Sequence, residues 1–150
     1  MLDERLSLAA ALYHPCDWGA DIGTDHAYLP CHLLRAGICQ HMIVADVSEK
    51  ALARAKENLT RQKLINRAEV VLADGLDAIT RKCGCISVMG MGGELMGNIL
   101  RKNSSIEDKT NRLIAIESEK QNAEICDYVV EFDTYDQAVQ QLCEILQIEG

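Results

Sequence analysis

Trp18-Gly19-Ala20-Asp21-Ile22-Gly23, continued by Thr24-Asp25-His26, and further on Met42-Ile43-Val44-Ala45-Asp46-Val47 are the stretches that decide the fold. The first reads as a strand ending in a glycine turn. The second is a near-continuous apolar run, as expected of a strand buried on both faces of a sheet. Between them, residues from about 26 to 36 read as a helix, with Pro30 tolerable in the first turn and Gly37 at the C-terminal stop. Strand, helix and strand in this order predict a right-handed β-α-β crossover.

The alternation extends in both directions. Residues 3–14 carry Leu6, Ala9, Ala10 and Tyr13 at helical spacing, and Pro15 stops them. Ser48 is placed to cap a helix from 49 to about 63, rich in Ala, Lys and Glu. A third strand over 68–73 closes on Asp74-Gly75, and a fourth over 85–89 closes on Gly90-Met91-Gly92-Gly93, with a helix from 94 to about 102. A fifth strand over 112–117, a short helix over 119–126, a sixth strand over 128–132 and a last helix over 135–147 complete the pattern. The predicted fold is α/β, a doubly wound, Rossmann-like, mostly parallel sheet with helices on both faces. No internal repeat or linker divides residues 1–150, so one domain is expected.

Composition narrows the classes further. An apolar share of 48% excludes disorder, and no apolar run approaches the roughly 20 residues of a membrane span. The opening Met1-Leu2-Asp3-Glu4-Arg5 lacks a basic-then-apolar leader, so the expected compartment is the cytoplasm. Net charge is −8, unevenly spread: residues 1–112 hold 14 Lys and Arg against 14 Asp and Glu, while 113–150 hold one against nine. That balance weakens a nucleic-acid partner unless cations cluster in space, and it leaves room for a partner or homodimer to supply such contacts. Seven cysteines include Cys83-Gly84-Cys85 but no CxxC pair. They read as small buried hydrophobes rather than as a disulfide framework or as a zinc site completed by a histidine.

In a sheet of this kind ligands bind outside the carboxyl ends of the strands. Asp46, 23 residues after Gly23, is placed to accept both hydroxyls of a ribose, with Val47 beside it. A dinucleotide loop needs glycine where Asp25 stands, because a carboxylate there would repel a pyrophosphate, so NAD and FAD are disfavoured. A nucleoside carrying an ammonium and a carboxylate suits the loop better. Asp21 or Asp25 could engage the ammonium, and the helix N-terminus the carboxylate. Asp74-Gly75 could accept an adenine amine and admit its ring. Each acid taken singly could equally be a helix cap.

Together, Asp21-Ile22-Gly23-Thr24-Asp25-His26-Ala27-Tyr28-Leu29-Pro30, Asp74-Gly75-Leu76 and Gly90-Met91-Gly92-Gly93 before Ile99-Leu100 resemble the bacterial tRNA (adenine(22)-N(1))-methyltransferase family. Arg5-Leu6 is similar as well, and the likeness runs from about residue 3 to 114. The resemblance implies a class I enzyme that uses S-adenosylmethionine to methylate N1 of an adenine in tRNA. It maps cofactor binding onto Asp21, Gly23, Thr24, Asp25, His26, Asp46, Val47, Asp74, Gly75, Gly90, Met91 and Gly92. Asp25, His26 and Tyr28 become the candidates that touch the base or the reacting atoms. Two departures stand out: Leu113-Ile114-Ala115-Ile116-Glu117-Ser118 lacks the Gln-Pro the family places after strand five, and the family's C-terminal helical region has no counterpart in these 150 residues. The alternatives are an S-adenosylmethionine-binding module and a small-molecule methyltransferase without tRNA activity.

Overall fold

The computed structural model describes residues 4–89, 109–118 and 125–131. Helix α1 spans Glu4–Leu12, strand β1 Cys16–Ile22, helix α2 Tyr28–Arg35, strand β2 Cys39–Asp46 and helix α3 Glu49–Arg61. Strands β3 Ala68–Leu72, β4 Cys83–Met89, β5 Thr110–Ser118 and β6 Ile125–Glu131 follow, with 3-10 turns at Ile65–Arg67 and Gly75–Ala78. The sheet order is β3-β2-β1-β4-β5-β6. Strands β1 to β5 are parallel, and β6 runs antiparallel to β5. This is the Rossmann-like doubly wound sheet that the alternation predicts.

The strand order reverses at β1, which lies between β2 and β4, and a sheet of this kind takes its ligands at the carboxyl ends of the strands beside such a reversal. Alternation along β2 feeds two cores. Met42 and Val44 face α1, α2 and α3 together with Leu29, Leu33 and Leu59, whereas Ile43 and Ala45 face the other layer with Leu76 and Ile86. Each wholly buried Leu or Ile contributes roughly 1.5–3 kcal/mol of hydrophobic stabilisation. These layers therefore fix the strand register on which that carboxyl edge depends.

The helices form for local reasons. Ala51, Leu52, Ala55, Asn58 and Leu59 make one buried stripe along α3, and the Ser48 hydroxyl caps it by accepting from the Ala51 N–H at 3.2 Å. Helix α2 stops where Gly37 adopts φ 74°, and the Ile38 N–H returns to the Leu33 carbonyl at 3.0 Å. No helix among the described residues is long and apolar enough to cross a membrane.

Several boundaries differ from the sequence reading. Helix α2 begins at Tyr28 because Asp25 and Ala27 take left-handed φ values of 51° and 60°, which no helix can contain. Strand β2 starts earlier, since Cys39 pairs with Cys16 and is fully buried. Strand β6 also starts earlier than expected. Its Ile125 pairs with Ser118, so the end of the helix expected over 119–126 is strand instead. The helices expected over 94–102 and 135–147 lie outside the described residues.

Candidate functional site

The carboxyl ends of β1 and β2 are stitched together by a loop that the Gly23 turn makes possible. Gly23, at φ 78°, and Thr24 both donate their N–H groups to the Ala45 carbonyl, at 3.0 and 3.1 Å. The Asp25 N–H then reaches Asp46 Oδ2 at 3.3 Å, while Asp46 Oδ1 accepts the Ser48 N–H at 3.0 Å. Two backbone donors thus fix the orientation of the Asp46 carboxylate. Each of its oxygens keeps a lone pair for a further donor. An acid held in this way is suited to a pair of adjacent hydroxyls.

Asp21 is placed differently. It is 2% exposed and accepts from Ser87 Oγ of β4 at 2.9 Å. Burial pushes its carboxyl up to about 7, against the pull of the Ser87 and Thr24 hydroxyls; nearby Asp46 pushes it further up and Arg5 draws it down. Asp21 therefore lies beneath the loop as a buried acid, whereas Asp46 stands at its rim.

Asp25 stands exposed at the loop and carries a partner that the sequence does not reveal. Its Oδ1 takes two hydrogen bonds from Arg54 of α3, at 2.6 and 3.2 Å, on the exposed side of the loop. Sequence reasoning missed Arg54, because nothing in the local pattern of α3 distinguishes it from a solvated cation. Asn58 was missed too. It is buried in α3, donates to the His26 carbonyl at 2.9 Å and so holds the loop against the helix. The His26 and Tyr28 rings stack at 5.0 Å between centroids. They line a cleft of about 290 Å³ with Arg54, Glu57, Asn58 and Arg61.

Beyond β3, Gly75 takes φ 55° and opens a 3-10 turn at which the Asp74 side chain makes no capping bond. Gly90, Met91 and Gly92 lie outside the described residues. Among the described residues three large apolar side chains are exposed: Tyr28, Val47 and Leu72. All three sit at the carboxyl edge of the sheet, Tyr28 and Val47 beyond the ends of β1 and β2 and Leu72 at the last position of β3. Apolar surface gathered at one edge beside fixed carboxylates fits a flat heteroaromatic ligand with a sugar. The N-terminus of α2, where no side chain caps the helix, presents backbone N–H groups to an anionic group on that ligand.

Among the described residues, Cys31 and Cys83 are buried and are not arranged for reaction. Burial pushes the Cys83 thiol up to about 12 and the Cys31 thiol to about 11, so both remain neutral.

A switch point at β1, a fixed acid at the end of β2 and an apolar edge are the features with which the Rossmann-like class holds nucleoside cofactors. The methyltransferase-domain family model matches residues 2–143, and the chain belongs to that family. Over 96 residues it is 32% identical to the tRNA (adenine(22)-N(1))-methyltransferase of Bacillus subtilis (strain 168), covering 63% of this chain and 40% of that protein. Among solved structures, the B. subtilis M1A22 tRNA methyltransferase TrmK is similar with a TM-score of 0.79 at 25% identity, covering 91% of this chain and 69% of that one. M. capricolum TrmK, solved with S-adenosyl-homocysteine, gives a TM-score of 0.73 at 27% identity over 80% of this chain and 54% of that one. Streptococcus pneumoniae Sp1610, solved with S-adenosyl-L-methionine, gives 0.74 at 31% identity over 81% and 57%. The chain thus spans about half the length of most of these relatives.

Proposed function

We propose that the chain binds S-adenosylmethionine across the carboxyl ends of β1, β2 and β3 and transfers its methyl group to N1 of an adenine in tRNA. The observation that carries the reading is Asp46, held by two backbone N–H groups at the end of β2, with Val47 exposed next to it. In this reading Asp46 takes the ribose hydroxyls, Val47 and Leu72 flank the adenine ring, and Asp74 and Gly75 meet its edge. The N-terminus of α2 receives the methionine carboxylate, Gly23 and Thr24 form the turn that sets this end of the loop against β2, and the buried charge of Asp21 lies beneath the ammonium. Gly90, Met91 and Gly92, which follow β4 in the sequence, are assigned to the same site on the strength of the sequence resemblance.

When bound, S-adenosylmethionine supplies a methyl group on a sulfonium, open to in-line displacement by a ring nitrogen. Adenine N1 is already nucleophilic, so the protein's contribution is position and electrostatics. Tyr28, half exposed and braced on His26, offers a face on which an extruded base can stack. Asp25, His26 and Tyr28 together are the residues assigned to the base. Asp25, paired with Arg54, sets the charge at the cleft mouth.

An RNA partner is compatible with the overall negative charge because cations gather on one layer. Residues 28–67 hold seven Lys and Arg against three acids, although the whole chain carries −8. Arg35, Lys50, Arg54, Lys56, Arg61 and Lys63 of this stretch are exposed. The direct test is methyl transfer from labelled cofactor. Activity on tRNA and none on free adenosine supports the proposal. Activity on adenosine alone makes the chain a small-molecule methyltransferase, and cofactor binding without transfer makes it a binding module. A cytoplasmic location accords with a tRNA substrate and is proposed with it.

A further inference from the structure

Asp21 belongs to a buried chain of hydroxyls that the assigned chemistry does not use. The Tyr13 hydroxyl from the segment after α1 lies 2.7 Å from Ser87 Oγ and 2.9 Å from the Ala20 carbonyl. Ser87 Oγ lies 2.9 Å from Asp21 Oδ1 and 3.2 Å from the same Ala20 carbonyl. All three side chains are buried: Tyr13 is 6%, Ser87 0% and Asp21 2% exposed. A buried hydroxyl chain is costly unless every proton has an acceptor.

We propose that Tyr13 and Ser87 are positioning residues whose hydroxyl chain satisfies Asp21 in both its charged and its neutral form, so that the ammonium of an arriving cofactor can recruit the charge without moving the protein. The inference rests on the reading of the strand ends as an S-adenosylmethionine site. With Asp21 charged, the Tyr13 hydroxyl donates to Ser87 and the Ser87 hydroxyl donates to the carboxylate. With Asp21 neutral, each bond turns round: the acid donates to Ser87, Ser87 to Tyr13, and Tyr13 to the Ala20 carbonyl. No heavy atom moves between the two arrangements. The proton released when the carboxylate forms leaves for solvent.

The surroundings poise the acid between the two forms. Asp46 from β2 faces it with like charge and Arg5 from α1 with opposite charge; Tyr13, Ser87 and Thr24 supply hydroxyls, and burial holds the carboxyl at about 7. Near neutral pH a bound cation then converts a partly protonated carboxyl to carboxylate.

The test is calorimetric titration of S-adenosylhomocysteine into the full chain at pH 7, in phosphate and in Tris, whose ionisation heats differ. The wild type is expected to release about half a proton per ligand and to bind more tightly at pH 8 than at pH 6. Ser87→Ala removes the donor that stabilises the charged form. Its affinity is expected to fall about tenfold at pH 7 and only about twofold at pH 8.5, with more proton released. Tyr13→Phe shifts the same quantities in the same direction by less. A purely structural role for either hydroxyl would change thermal stability and leave the proton count alone. Unchanged proton release in both folded variants overturns the inference by itself. A folded wild type that does not bind the ligand overturns the functional reading along with it.

Discussion

Asp21 and Ser87 are register partners on the neighbouring parallel strands β1 and β4, joined across the switch point by a buried hydrogen bond of 2.9 Å. A sheet interior rarely keeps a carboxyl there, and the raised pKa has a direct consequence for stability. The unfolded chain loses this proton near pH 4 and the folded chain near pH 7. Between those values the folded state binds more protons, so this group lowers stability as pH rises from about 4 to about 7. Asp21→Asn removes the effect. The variant is expected to melt at higher temperature than the wild type at pH 8, by an amount corresponding to a few kcal/mol at most, with no such gain at pH 4. Thermal melts at the two pH values check the sign.

Tyr28 is assigned to the target base rather than to the cofactor. Tyr28→Ala is expected to lower kcat/KM for tRNA by about tenfold to a hundredfold, the loss of one stacking partner, and to leave S-adenosylhomocysteine affinity within about twofold. Tyr28→Phe, which keeps the ring, is expected to retain most of the activity. Parallel assays of transfer and of cofactor binding separate the two roles.

The cations of α2, of α3 and of the turn after it predict a salt-dependent attachment to RNA. Arg35 bonds the neutral Gln62 at 3.0 Å, so its charge is not spent on a carboxylate. Replacing Arg35 and Lys63 together by Glu should weaken tRNA binding and flatten the plot of log K against log salt concentration by a slope of about 2. Cofactor affinity should not change. A slope equal to that of the wild type would place the RNA on another surface.

A side chain at Gly84 is predicted to be destabilising, because a Cβ there would overlap Cys16 Cβ on β1, an atom fixed directly to the backbone. Gly84→Ala should cost about 1–3 kcal/mol in urea unfolding without altering the ligand contacts of the folded protein. The exposed Asp25–Arg54 pair is the contrasting case. Arg54→Ala should change stability by less than about 1 kcal/mol, because solvent screens the pair.

Much of this was legible in the residues. The run from Met42 to Asp46 shows a buried strand because both of its faces are covered, and the cap at Ser48 shows where the next helix starts. The acids Asp21, Asp46 and Asp74 were legible as strand-end groups because the Rossmann-like topology forces strand ends to one edge. What stayed hidden was set by tertiary contact. Asp25 looks in sequence like an acid facing a ligand, and only the packing of α3 brings Arg54 onto it. Asn58 and Ser87 are common residue types whose importance comes from what the fold places beside them. The left-handed backbone at Asp25 and Ala27, which delays α2, leaves no pattern that hydrophobic periodicity can detect.

Asp46 is proposed to anchor an S-adenosyl nucleoside at the edge of β2. Titration of S-adenosylhomocysteine at pH 8 into the wild type and Asp46→Ala, both shown folded by circular dichroism, tests it most directly. The wild type is expected to bind with a micromolar Kd and the variant about 30-fold or more weakly, as when hydrogen bonds to a charged acceptor are removed. Equal binding by both proteins, or no binding by a folded wild type, would contradict it.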